Sequence, residues 1–244
     1  MYYYSWLLKT LLLPQLISSL TYIVIGYLFK IKKYSPYLIK IPDRKVYDGK
    51  LDRKIENNEK IKKKLTLNLI LNSVISLIIG LLFLQILPTE INPDIYIEKT
   101  YFIMFKKVII TYVISQIVFF FTHIMFHTKF MYKHFHYVHH QIDQPFSISA
   151  NYSHPVEFIF SNLPTIMTGV ILTEMSWVLT CFCWLPIITI ESMLEHSGYK
   201  LVYNSKLFGE IVLFDPSHHD KHHKLKMYNY SSYEFVDKFF KTFK

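Results

Sequence analysis

The sequence predicts an all-α fold, an integral membrane helical bundle carrying a cytoplasmic, histidine-rich helical cap. Three observations predict it. Long stretches carry no charge, basic and acidic residues segregate between the segments that join them, and twelve histidines gather mainly in two short regions. Composition agrees: of 244 residues 51% are hydrophobic and 18% charged, less charge than soluble domains usually carry. So much buried apolar side chain excludes a disordered chain. A disulfide scaffold is excluded because the only cysteines, Cys181 and Cys183, stand two apart inside an apolar run.

Crossing a bilayer takes about 20 apolar helical residues. Residues 11–29 and 65–88 are uncharged throughout, and the second run is long enough to tilt. The first lacks a basic leader and a small-residue cleavage site, so it reads as a retained anchor. Residues 108–122 form a shorter third span, with Lys106 and Lys107 at its entry able to reach the headgroups. Residues 158–190 hold a single charge, Glu174, and read as a hairpin of two short helices turning near Thr173-Glu174-Met175-Ser176.

Charge sets the orientation. Residues 30–64 carry 13 of the 27 basic side chains and belong in the cytoplasm. Residues 89–100, with Glu90, Asp94 and Glu98 against one lysine, belong on the far side. Following the spans, histidine-rich residues 123–154 and 196–223 both emerge on the cytoplasmic face. The chain divides into an N-terminal transmembrane hairpin with its basic loop, 1–100, and a second domain, 101–244.

Three spacings organise the histidines: His123-x-x-x-His127, His136-x-x-His139-His140 and His219-x-x-His222-His223. On a helix, positions i, i+3 and i+4 share a face, so each triad aims three imidazoles into one space. Imidazole binds Fe, Zn, Cu and Ni well, and eight or nine such ligands suit two metals rather than one. His196 stands alone but follows the hairpin at the same interface. His134 lies about 200° around the helix from His136 and points away. His218 is off the face of its triad and flanks it. The Glu-x-x-His pattern of soluble di-iron bundles is missing, as is His-Glu-x-x-His, because Ile124 follows His123. A zinc transporter is a competing reading, although its polar ligands belong within the spans. So is a catalytically silent, metal-storing or lipid-binding membrane protein. The charge is accompanied by no nucleic-acid motif, so nucleic acid is not expected as a partner.

From residue 108 to the end, the chain resembles the fatty acid hydroxylase superfamily, the sterol desaturase-like membrane di-iron oxidases. HxxxH, HxxHH and a second HxxHH occur in that family's order. The finer text is most similar to the methylsterol monooxygenases, sterol C4-methyl oxidases: Tyr132-Lys133-His134-Phe135-His136-Tyr137-Val138-His139-His140, then Gln144-Pro145-Phe146, then Asn151-Tyr152-Ser153-His154-Pro155-Val156-Glu157. Glu191 leading to His196-Ser197-Gly198-Tyr199, His218-His219-Asp220-Lys221-His222-His223, Asn229-Tyr230 and Asp237-Lys238-Phe239-Phe240 continue the likeness. Three departures stand out: Leu201-Val202 where the family has a proline, Lys221 where it has an aromatic, and Lys241-Thr242 where it has Gly-Thr. They spare the histidines and touch their surroundings.

The resemblance implies a catalytic domain over 101–244 that oxidises a lipid C–H bond with O2 and two electrons, in the endoplasmic reticulum membrane. It implies two iron ions held by His123, His127, His136, His139, His140, His196, His219, His222 and His223, with His154 as a candidate tenth ligand against an equal reading as a helix-starting residue. No catalytic side chain is expected beyond these ligands. Asp220, Glu157 and Glu191 are candidates to hold imidazole N–H groups behind them. Neither a cytochrome b5 haem motif nor a G-x-G-x-x-G fingerprint occurs, so electrons come from outside, from cytochrome b5 and its NAD(P)H-dependent reductase. The basic 30–64 loop could dock that donor, although an orientation signal touching anionic lipid is the commoner use of such a loop. A sterol desaturase or a fatty acyl or sphingolipid hydroxylase is the alternative within the same fold.

Overall fold

The computed structural model describes residues 12–30, 37–40, 59–86 and 100–244. Most of the basic 30–64 loop, and residues 87–99 with nearly all the acidic segment, lie outside the described residues. Eight helices are described: α1 (Leu13–Lys30), α2 (Glu59–Ile86), α3 (Tyr101–Phe126), α4 (Lys129–His134), α5 (Pro155–Leu172), α6 (Trp177–Glu195), α7 (Ser217–Leu225) and α8 (Glu234–Phe239). Short 3-10 turns at His136–Gln141 and Ser147–Ser149 join α4 to α5.

Four of these helices are long and apolar enough to cross a membrane: Lys63–Leu82 within α2, and α3, α5 and α6. The apolar part of α1, Leu13–Phe29, is shorter. The third span extends beyond the expected 108–122 in both directions, so His123 occupies the last turn of α3 rather than the loop beyond it. Its start is fixed by Thr100, whose hydroxyl accepts from the Ile103 N–H at 3.3 Å. Outward side chains such as Ile110, Val113, Ile117 and Phe121 stay exposed, as expected of a helix whose solvent is lipid.

The hairpin forms as the sequence suggests. α5 and α6 are separated by Thr173–Ser176, where Glu174 takes a left-handed φ of 48°. In both helices a wider π-turn (Phe158–Asn162, Thr180–Trp184) runs into a proline two residues further on, Pro164 and Pro186. Proline lacks the amide that an α-turn needs and its ring crowds the preceding turn, so the ladder loosens there. The turn end is held against the start of α3 by Lys107, whose Nζ donates to the Glu174 carbonyl at 2.5 Å. α3 and α5 approach closely at Gly169, where a Cβ would meet the Thr111 carbonyl at 2.7 Å. Trp184, fully buried, donates its indole N–H to the Ile166 carbonyl at 2.8 Å.

The lysine and turn thus lie at one end of the bundle and every histidine at the other. At the histidine end stands an element the all-helical expectation did not include. It is a small antiparallel sheet in the order β1 (Leu38–Lys40), β2 (Tyr199–Ser205), β3 (Gly209–Phe214), with Ile39 opposite Lys200 and Ser205 opposite Gly209. Gly209, at φ +72°, closes the β2–β3 turn in a conformation that side chains other than glycine's resist.

Candidate metal centre

The end of α3 supplies His123 and His127, the last residue capping the helix. The 3-10 turn His136–Gln141 supplies His136, His139 and His140; the end of α6 supplies His196; α7 supplies His219, His222 and His223. All nine are buried and form two groups, His123, His127, His136, His140 and His222, and His139, His196, His219 and His223. Within each group one nitrogen from every ring lies within 4.8 Å of the others.

The triads therefore do not each serve one space. His136 and His140 turn to the group of five and His139 to the group of four, whereas His219 and His223 turn to the group of four and His222 to the group of five. Geometry accounts for the split on α7: at about 100° per residue, i and i+4 diverge by about 40°, but i+3 and i+4 by about 100°. One helix face is wide enough to address two centres.

The donor chemistry fits a cation. His123 and His222 set Nδ1 at 2.6 and 2.7 Å from the carbonyl oxygens of Tyr230 and Tyr228. His139 and His196 do the same with Tyr152 and Ser192, at 3.1 and 2.8 Å. A ring whose Nδ1–H donates to a carbonyl presents a bare Nε2 lone pair inward. The Nε2 atoms of neighbouring rings, these four among them, stand 2.9–3.3 Å apart in the first group, with His136 to His127 closest, and 3.1–3.4 Å apart in the second. Lone pairs facing one another in a buried space repel unless something positive lies between them. Burial also holds the rings neutral: His136 is pushed down to about 3, and His127, His139, His140, His219, His222 and His223 are all shifted below the usual imidazole value, with neighbouring imidazoles adding to the effect in these six.

Of the expected supporting carboxylates, Glu157 sits behind the site, with Oε1 2.9 Å from His136 Nδ1. Asp220 lies half-buried on α7. Glu191 does not back an imidazole. It accepts from Tyr112, from Gln116 at 3.0 Å and from Tyr233 at 3.2 Å, because five residues of helix turn it about 140° from His196. His154 stands outside both groups: it caps α5, its Nδ1 accepting from the Val156 N–H at 3.1 Å. His134 is exposed, and His218 is buried against Asp237, 2.8 Å away.

Three residues to which the sequence reading gave no role contribute. Asp237 accepts from the Tyr230 and Ser231 amides, both at 2.8 Å, and from Thr242 at 2.6 Å, which fixes the loop holding His123 and His222. Asn68 and Asn72 of α2 donate to the Ser153 carbonyl at 2.8 and 3.2 Å. Two amides four residues apart inside an uncharged span were the available signal.

The fatty acid hydroxylase family model matches residues 108–242. The chain belongs to that family. Relatives include the very-long-chain aldehyde decarbonylase GL1-11 of Oryza sativa subsp. indica, 33% identical over 145 residues, covering 57% of this chain and 53% of that protein. The methylsterol monooxygenase 2-1 of Arabidopsis thaliana is 32% identical over 151 residues, covering 56% and 55%. The chain thus spans about half the length of the curated relatives it matches. No solved structure matches. Membership agrees with a chain bearing membrane-length helices and histidine clusters suited to a di-metal site.

Proposed function

We propose that this chain is a membrane-bound, O2-dependent di-iron monooxygenase that oxidises a lipid C–H bond, first among its substrates a 4-methyl group of a sterol. The observation that carries the reading is the meeting of nine buried imidazoles, in groups of five and four, at one end of membrane-length helices. In this reading all nine are ligands, and residues 101–244 are the catalytic domain behind an N-terminal hairpin at 1–100. Bound iron supplies the redox chemistry: RH, O2, two electrons and two protons give ROH and water. The chain's own groups hold the site ready. Backbone carbonyls of Tyr152, Ser192, Tyr228 and Tyr230 keep ring protons on Nδ1, Glu157 lies behind His136, and burial excludes water from the lone pairs. A lipid reaches such a centre sideways from the bilayer.

The sterol reading rests on the likeness of Asn151–Glu157 and His196–Tyr199 to methylsterol monooxygenases and on relatives bearing that name. A second reading, removal of the aldehyde carbon from a very-long-chain aldehyde, is favoured by rice relatives named aldehyde decarbonylase at comparable identity. Desaturation or acyl hydroxylation would use the same fold. The site belongs on the cytoplasmic face of the endoplasmic reticulum, fed by cytochrome b5 and its reductase.

The test is the purified chain in lipid nanodiscs with iron, NADH, reductase and cytochrome b5, offered a 4-methylsterol or a very-long-chain aldehyde. The expected product is the 4-hydroxymethyl sterol, with one iron per histidine group. Turnover of the aldehyde alone selects the second reading. Zinc flux across vesicles without O2 consumption, or metal held with no oxidised product from any lipid, overturns both.

A further inference from the structure

We infer that the C-terminal helix α8 is a membrane-interface anchor whose phenylalanines seat in the headgroup–acyl boundary of the bilayer and whose inner face holds the imidazoles in place. Phe235 and Phe239, four residues apart on one face, are 70% and 79% exposed. Such aromatic exposure on a six-residue helix needs a covering.

Continuity with α3 identifies the covering as lipid. The Phe240 ring stacks on Phe120 at 4.6 Å and meets Phe121 edge-on at 5.6 Å. Phe121 is itself exposed on the outer surface of α3, two residues before His123, so α8 lies against the lipid-facing end of a membrane-length helix. Exposed Lys238, Lys241 and Lys244 flank the phenylalanines along the chain, Lys238 paired with Glu234 at 2.5 Å, and exposed Lys221 and Lys224 stand on the neighbouring α7. Apolar rings bordered by lysines are the pattern of a segment lying in an anionic lipid interface.

The inner face of α8 carries Asp237, fully buried, which binds His218 and the amides of Tyr230 and Ser231. Those amides belong to the loop whose Tyr228 and Tyr230 carbonyls orient His222 and His123. Seating α8 in lipid therefore fixes the loop from outside, and the loop fixes two rings of the group of five.

The inference rests on the membrane reading, and its first test needs no metal, so its failure is distinct from failure of the di-iron proposal. The full chain, with Cys181 and Cys183 replaced by alanine, carries a nitroxide at Phe239→Cys or at Lys221→Cys in nanodiscs of phosphatidylcholine and phosphatidylserine. The label at 239 should collide with O2 in preference to a water-soluble nickel chelate, and the label at 221 should show the reverse. Equal chelate access at both positions, or spin–spin broadening from a second copy at 239, overturns the anchor. The second test compares Phe235→Ser/Phe239→Ser with Phe235→Leu/Phe239→Leu for iron affinity. The serine pair should lose roughly tenfold, the low end for disturbing groups behind a metal ligand, and the leucine pair should match the parent. Unchanged affinity in the serine pair overturns the link to the imidazoles.

Discussion

The group of five and the group of four are held by different parts of the chain. The group of five takes His123 and His127 from a membrane helix, and two of its rings are oriented by carbonyls of the 228–230 loop, far along the sequence. The group of four takes nothing from α3 and is more local: His196 is oriented by Ser192 one turn earlier, and His139 by Tyr152 thirteen residues on. The first centre thus depends on the C-terminal segment, the second on the ends of single elements. The split triads join them, since each places residues in both groups.

Replacing one triad histidine from each group probes this most severely. His140→Ala removes a ring from the group of five and His139→Ala, its neighbour, one from the group of four. Each should drop turnover to background and lower the metal content by at least one equivalent, read by elemental analysis. Full metal retention in either variant would break the assignment of that group.

Acid should act on both groups of the metal-free protein. The histidines with depressed values, such as His136 at about 3, titrate near 6.5 when unfolded. Below that point the unfolded chain takes up protons the folded chain refuses, so folding stability is present above about pH 6.5 and declines as pH falls toward 3. Each such ring adds a slope of up to about 1.4 kcal/mol per pH unit. Thermal unfolding of the metal-free chain across pH 7 to 5 measures this, and bound metal should oppose the loss by requiring neutral rings. A flat profile would mean the rings are not held neutral.

A finer contrast separates two buried glutamates. Glu157→Gln should weaken metal binding or turnover by about 10–100-fold, because it alters the group behind His136. Glu191→Gln should leave metal affinity unchanged, because its partners are Tyr112, Gln116 and Tyr233. Metal competition titrations of the two variants check both expectations.

That contrast also marks the limit of what the sequence reveals. Uncharged runs, Glu174 at the hairpin turn and the histidine spacings were legible because period and charge are local properties. The division of each triad between two groups was not read: the angle of about 100° between His222 and His223 is local, but which centre each ring meets depends on where α7 lies against the end of α3. Carbonyl partners such as Tyr230 and Tyr152 act through their backbone, so no side chain announces them. The small sheet was partly legible: Lys200-Leu201-Val202-Tyr203 and Glu210-Ile211-Val212-Leu213 are good strand formers, but they are short and follow strongly helical apolar runs.

The smallest effect tests a residue that the pattern of the family text places beside the ligands. His154 precedes Pro155 at the start of α5, and its Nδ1 satisfies the Val156 amide, one of the donors that a helix start leaves open. His154→Ala should cost about 1 kcal/mol of stability, the typical price of losing a cap, without lowering metal content. His154→Asn, which keeps a short acceptor, should restore most of the stability. Metal lost from the alanine variant and not recovered with asparagine would enlist His154 as a tenth ligand.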